Sequence, residues 1–395
     1  MSLYAGFSRT PIVHNTEKTH FLGGFSNRGP ATGVLEYPEA RTILLRNNAF
    51  AVAVVSLDFC YLDHSFIAKI RQQLLKERVE SIIACTHNHA GICAVHSKDN
   101  ILGIADEEYL ALVRHSIFKS VDNARENCKE VKRVTSHRAT LVGNFIMNRT
   151  FVDENNFMHK QLQPHTPARV FKDFDREITA IKFSIEDEDY VIANFPCHAN
   201  VLDRSNTLVG RDFVGSMLKT LENNLGDRKT QAMFLNGAAG DVRPAVWESS
   251  LETVTAFGGM LGIQIAFAVK KSCCEALDKS ISFQEMDASI AFADGSNLAV
   301  PVSCLRIGNQ PLITVPGELY SSLGLRIKEA GKIKPMIIGY ANGTLGYLPS
   351  KECVERNHPE DVAIRSWTVQ KYFDGPLPLP DLGEWIVKTA ISLLK

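Results

Sequence analysis

The sequence predicts an α/β architecture with mixed sheets covered by helices. Two observations carry this: Val- and Ile-rich apolar runs alternate with longer helical patterns along the whole chain, and 45% apolar residues over 395 positions supply a sizeable core. A third narrows it, since no sequence repeat, low-complexity tract or Pro/Gly/Ser linker divides the chain. Strands are predicted at Thr42 to Leu45, Phe50 to Asp58, Ser81 to Thr86, Ile178 to Ile185, Tyr190 to Cys197, Gln231 to Leu235, Ile281 to Ile290 and Leu312 to Val315, from β-branched enrichment bounded by polar turns. Apolar residues at a period near 3.6 predict helices at His64 to Arg78, Glu107 to Asn127, Asp212 to Asn224, Thr253 to Cys274, Leu319 to Ala330 and Leu382 to Leu394. Asn144 to Asp175 is polar and carries Pro164 and Pro167, so it reads as a functional loop or lid. The pair Gly258-Gly259 lies inside a helical pattern and is expected to allow close helix packing.

Charge excludes one class of partner. The 43 basic and 44 acidic residues nearly cancel, and no Lys/Arg block tracks a nucleic-acid backbone. The segment from Met1 to Pro11 lacks the apolar stretch of a secretory signal, and no run reaches the ~18 apolar residues of a membrane span. Nine cysteines without a Cys-x-x-Cys spacing, several inside apolar strands, fit a reducing compartment. The expectation is a cytoplasmic protein acting on a small molecule.

Chemistry concentrates where predicted strands end. Ile83-Ala84-Cys85-Thr86-His87-Asn88-His89-Ala90-Gly91 is an apolar run that gives out into a His-x-His pair and a glycine. Neutral imidazole is a ready zinc ligand, and loops at strand ends carry chemistry on a rigid base. The pair alone is weak, because the chain has 12 histidines. Asn194-Phe195-Pro196-Cys197-His198 delivers a further histidine in the same way. Asn236-Gly237-Ala238-Ala239-Gly240-Asp241-Val242-Arg243-Pro244 lets backbone approach closely before an aspartate. Pro316-Gly317-Glu318 ends a strand in a carboxylate, and Gly343-Thr344-Leu345-Gly346-Tyr347 ends one in a tyrosine. In sheet proteins such ends converge on one rim.

These elements, in this order, resemble the neutral (non-lysosomal) ceramidases and their shorter bacterial relatives. The match runs through Tyr4-Ala5-Gly6-Phe7-Ser8-Arg9-Thr10-Pro11, Ser56-Leu57-Asp58, Thr86-His87-Asn88-His89-Ala90-Gly91, Asn148-Arg149, His198 with Asp212, Gly240-Asp241-Val242-Arg243-Pro244, Pro316-Gly317-Glu318 and Gly346-Tyr347. The resemblance implies mixed β-sheets packed together and flanked by helices, one catalytic domain over 1–395, and no immunoglobulin-like domain after it. It implies a catalytic zinc held by His87, His198, Glu318 and Tyr347, with His89 and Arg149 facing a substrate amide. Asp241 is a catalytic candidate, and Asn148 and Arg243 are substrate-binding candidates. The activity implied is zinc-dependent hydrolysis of a linear N-acyl amide by a metal-activated water.

Two departures bear on the substrate. True ceramidases carry serine where this chain has Arg243, and a guanidinium there favours a carboxylate or other polar head over a long-chain sphingoid. The family's second tyrosine has no counterpart in Glu355-Arg356-Asn357-His358-Pro359-Glu360. A zinc esterase or hydrolase of another polar substrate on the same fold, or a non-catalytic metal-binding relative, therefore stays open. Each residue also has a plainer reading. His87 and His198 as core histidines, Glu318 as a carboxylate favouring a helix N-terminus, Tyr347 as a half-buried strand-end residue and Asp241 as a turn cap are the alternatives. His20, His64, His115, His137 and His159 have no supporting context and are expected at the surface. The sequons Asn148-Arg149-Thr150 and Asn342-Gly343-Thr344 read as coincidental.

Overall fold

Many strands of this chain are buried at nearly every position, so the sheets that hold them cover both of their faces. In the computed structural model, which describes residues 2–153, 155–160, 174–226, 228–271, 274–356 and 379–395, three larger sheets do so around one another. The first contains β1 (Tyr4–Pro11), β2 (Glu39–Arg46), β3 (Ala51–Leu57), β4 (Val79–Cys85) and the short β5 (Lys129–Glu130), in the order β4-β3-β2-β1-β5. Its pairings are antiparallel except β3 with β4, which are parallel and joined through α1 (His64–Lys76). Helix α2 (Glu107–Glu126) follows, capped by the Asp106 side chain, which accepts from Glu108 N at 3.0 Å.

The same order of elements recurs twice. The second sheet holds β6 (Arg133–Thr140), β7 (Glu177–Ser184), β8 (Glu188–Phe195), β9 (Lys229–Asn236) and β10 (Cys274–Leu277), in the order β9-β8-β7-β6-β10. Only β8 and β9 are parallel, joined through α3 (Asp212–Asn224), and α4 (Leu251–Lys271) comes next. The third sheet runs β11 (Ile281–Ala291), β12 (Asn297–Ile307), β13 (Gln310–Thr314) and β14 (Met336–Ile338). Its parallel pair β13/β14 is joined through α5 (Ser321–Ala330), and α6 (Lys351–Glu355) and α7 (Leu382–Leu394) follow. Each unit is thus three antiparallel strands, a crossover helix, a parallel fourth strand and a further helix. The sequence shows no repeat, so this one is architectural.

Strand alternation then sorts the core. Ile43, Val54 and Ile82 of the first sheet, Phe183, Tyr190 and Met233 of the second, and Leu305, Leu312 and Ile338 of the third meet in one shared interior. The opposite faces take the helices: Ile70 and Val113 lie over Val55 and Ile83, Phe213 and Leu261 over Val191 and Phe234, Leu323 and Ile386 over Val302 and Ile313. Where α3 and α4 cross, a Cβ on Gly258 would stand 2.0 Å from Ser216 Oγ, which is the close packing expected of the Gly-Gly pair.

Several expectations are corrected. Strands β1, β6 and β12 were not legible as strands because charged or polar residues and Pro301 break their runs; Pro301 lies in the part of β12 that pairs with β11 and not with β13. Helix α5 begins at Ser321 because Glu318–Leu319 pairs in parallel with Tyr347–Leu348. Helix α4 is long and apolar enough by length and composition to cross a membrane, contrary to the reading above, although Phe257, Leu261, Ile265 and Val269 pack into the core. Within Asn144 to Asp175 the described part forms Ile146–Asn148, Thr150–Val152 and Met158–Lys160, and the remainder of the loop or lid expected there, 154 and 161–173, lies outside the described residues. His20 and His137 are buried, not superficial.

Burial of two imidazoles makes stability depend on pH. Desolvation, reinforced by His20 for one and by Lys182 and Arg133 for the other, lowers His14 and His137 to about 4 from the ordinary 6.5. The unfolded chain therefore binds protons between these values that the folded chain refuses, so the stability they contribute is present above pH 6.5 and is lost as pH falls toward 4. Chemical denaturation across that window is expected to show a declining unfolding free energy. The decline should be shallower in His137→Gln, and an equally steep profile in that variant would refute the assignment.

Candidate metal centre

The C-terminal ends of the three parallel strand pairs lie together, and backbone bonds stitch their loops. Cys85 N donates to Tyr340 O at 3.0 Å, His89 N to Ala199 O at 2.9 Å and Gly339 N to Asn236 O at 2.9 Å. Asn236 links two sheets with one amide, donating to Thr86 O at 3.0 Å and Cys197 O at 2.8 Å. Asp212, in left-handed conformation at φ 47°, accepts from Val201 N at 3.1 Å and Leu202 N at 2.9 Å and so pins the loop that carries His198.

This frame brings His87 from the end of β4, His198 from beyond β8 and Glu318 from beyond β13 to one point, all with no exposure. Glu318 Oε2 lies 3.2 Å from His87 Nε2 and 3.1 Å from His198 Nε2. The far side of each ring is already committed. His87 Nδ1 donates to Cys60 O at 3.2 Å, and His198 Nδ1 donates to Ala239 O at 2.6 Å, which assigns both Nε2 lone pairs to the interior. Oε2 has no hydrogen-bond partner among the described residues. Arg149 Nη2 reaches one of these three buried atoms, His198 Nε2, at 3.0 Å, and the donor set as a whole fits a metal ion such as zinc, which takes two imidazoles and a carboxylate readily. Cys60, His87 and His89 form an overlapping set, in which burial pushes the Cys60 thiol well above its ordinary range.

Burial and neighbouring charges act together on His198, His89 and Glu318. Burial, then the Arg149 charge, pushes His198 well below the ordinary value, and burial with His87 and His198 does the same to His89. Burial opposes the Glu318 charge, yet His87 and His198 hold its carboxyl well below the usual range.

The remaining sequence-predicted residues fall around this group. Tyr347 stands opposite Glu318 in the parallel pair, its ring stacked on His198 at 6.4 Å. Arg149 is buried, and its Nη2 reaches Tyr347 OH at 2.6 Å, His198 Nε2 at 3.0 Å and Gly240 O at 2.6 Å. His89 Nε2 lies 3.1 Å from His87 Nε2. Phe25 packs on the His89 ring at 4.6 Å, and Arg28 donates to His89 O at 2.6 Å. Asp241 spends its carboxylate elsewhere: Oδ1 accepts from Ser321 N at 2.7 Å, and Oδ2 accepts from Ser321 Oγ at 2.9 Å and Asn148 Nδ2 at 3.0 Å. Asn148 Oδ1 in turn accepts from Thr150 N at 2.8 Å and Thr150 Oγ1 at 2.7 Å. Arg243 sits half-buried on the strand facing Ile146–Asn148, where burial and then the Arg149 charge lower its pKa.

A scan against family models matches residues 5–257 to "Neutral/alkaline non-lysosomal ceramidase, N-terminal". The chain belongs to this family. Two solved structures agree over all of this chain: one described as "Ceramidase complexed with C2", with TM-score 0.78, 15% identity and 75% of its length covered, and neutral ceramidase from Pseudomonas aeruginosa, with TM-score 0.73, 14% identity and 74% covered. No curated protein sequence matches. The mixed-sheet fold expected from the resemblance is therefore the one present, and the chain is a ceramidase-family hydrolase.

Two neighbours of this ceramidase-type centre went unnoticed in the sequence. Tyr61 donates its hydroxyl to Glu318 Oε1. Tyr340, in left-handed conformation at φ 55°, stacks on His87 at 4.1 Å and 17°. Both lie just beyond strand ends, the signal that found His198 and Glu318.

Gly240 makes the frame testable without touching a candidate ligand. A Cβ there would stand 2.2 Å from Glu318 O, a backbone atom that cannot swing away. Gly240→Ala is expected to cost about 1–3 kcal/mol through overpacking, read by chemical denaturation, and to weaken metal binding by moving Glu318. A variant as stable as the parent would show that the loop yields freely.

Proposed function

We propose that this chain is a zinc-dependent hydrolase of a linear amide, ceramidase-like in its centre and directed to a polar or acidic N-acylated substrate. The observation that carries the metal is the convergence of His87 Nε2, His198 Nε2 and Glu318 Oε2, three buried atoms of which the carboxylate oxygen has no hydrogen-bond partner among the described residues. His87, His198 and Glu318 would hold the ion, and Tyr347, anchored beside Glu318, is the fourth ligand implied by the family resemblance. Zinc in such a site supplies a Lewis acid for the amide carbonyl and acidifies water to a pKa of about 7.

The chain's own residues do the rest. Arg149 presents a buried cation on the same side of His198 and is placed to meet negative charge developing on the substrate oxygen. His89, kept neutral by burial, is suited to take or give a proton at Nε2. Asp241 and Asn148 act by position: the aspartate ties the start of α5 to Asn148, the residue before Arg149, so the arginine and Glu318 keep their spacing. A guanidinium at position 243, on the strand facing Asn148, supports a carboxylate-bearing or otherwise polar substrate, and an ester of such a compound is the second reading.

Elemental analysis is expected to find about one zinc per chain, and a chelator should abolish hydrolysis of N-acyl amides until zinc is restored. His87→Ala and His198→Ala should each lose the metal; full zinc content in both would overturn the centre. For the substrate, an activity panel of N-acyl amino acids, N-acyl sphingosines and simple esters should favour the acidic amides. Arg243→Ser should raise KM for the acidic substrates at least ~10-fold, the scale of one charge-assisted bond, and an unchanged preference would return a ceramide-like substrate to first place.

A further inference from the structure

The threefold recurrence of one strand-helix-strand device carries an inference about the first unit. In the second unit a candidate ligand, His198, lies three residues beyond the end of the third strand, β8 at Phe195. In the third unit Glu318 lies four residues beyond the end of β13 at Thr314. The same place in the first unit, three and four residues beyond the end of β3 at Leu57, holds Cys60 and Tyr61. Cys60 gives its backbone carbonyl to His87 Nδ1. Tyr61 is 7% exposed, its ring stands 5.1 Å from that of His87, and its hydroxyl donates to Glu318 Oε1, the oxygen that does not face the histidines.

We propose that Tyr61 is a positioning residue of the metal centre, the first unit's counterpart of the other units' ligands, and that it acts through Glu318. By occupying Oε1 it leaves Oε2 as the oxygen offered to the ion, which holds the carboxylate to a single contact and fixes its plane. A carboxylate free to turn would offer both oxygens and lose rotamer entropy on binding. The inference rests on the zinc reading above and deepens it.

The test is zinc affinity of the purified protein, measured by competition with a chromophoric chelator, so it needs no substrate. Tyr61→Phe is expected to bind zinc ~10–100-fold more weakly, the usual effect of removing an outer partner of a ligand, while the metal-free form keeps its thermal midpoint. In a Glu318→Gln background the same substitution should change affinity little, because its partner is already altered. Should Tyr61→Phe not fold, Tyr61→Met fills similar volume without a hydroxyl and carries the same expectation. Unchanged zinc affinity in the hydroxyl-free variant, beside a parent that binds zinc and a Glu318→Gln that binds it poorly, would overturn the role of Tyr61 alone. An equal loss in both backgrounds would make Tyr61 an independent ligand and also overturn it. A parent that binds no zinc would overturn the metal reading together with this one.

Discussion

A carboxylate with no exposure has to be neutralised where it stands, and Glu318 sets that demand at the meeting point of the three sheets. One of its oxygens is met by the Tyr61 hydroxyl, and the other faces two imidazole nitrogens whose protons are committed elsewhere. Arg149 stands nearby as the fixed cation, held by Gly240 O and Tyr347 OH. Replacing either histidine or the arginine leaves a charge or lone pair in a dry interior, so these groups depend on one another as a set. The loops around them are correspondingly tied by backbone bonds and by the Asn236 amide.

How much of this was legible in the sequence follows from how local each signal is. An apolar run that ends in histidine, glutamate or tyrosine is a local pattern, and it singled out His87, His198, Glu318 and Tyr347, while their reading as a ligand set came from the family resemblance. The strand-end position marks Tyr61 and Tyr340 only weakly, because tyrosine after a strand is common in any core and only the fold brings these two against Glu318 and His87. Asp241 illustrates the opposite difficulty: its motif promised chemistry, while its carboxylate contacts Ser321 and Asn148.

The fold divides in the same way. Strands with a continuous apolar run, such as β3, were visible, whereas β6, with Arg133, Ser136, His137 and Arg138 along it, lacks one. The architectural repeat was invisible because the units share topology and strand order but not residues. Helix α4 misled in a different sense, since burying one face against α3 and the second sheet while keeping Met260, Ile263 and Phe267 outside makes it apolar all round.

The distribution of the site over three units has a consequence for how the protein reaches its native state. Tyr61 and Glu318 are 257 positions apart, and each unit contributes a part that is useless alone. Contacts of such long range are made late, after loop closure has been paid for by the sheets themselves. A chain lacking its third unit has no Glu318 to set against His87 and His198, so the three candidate ligand atoms come together only in the finished fold.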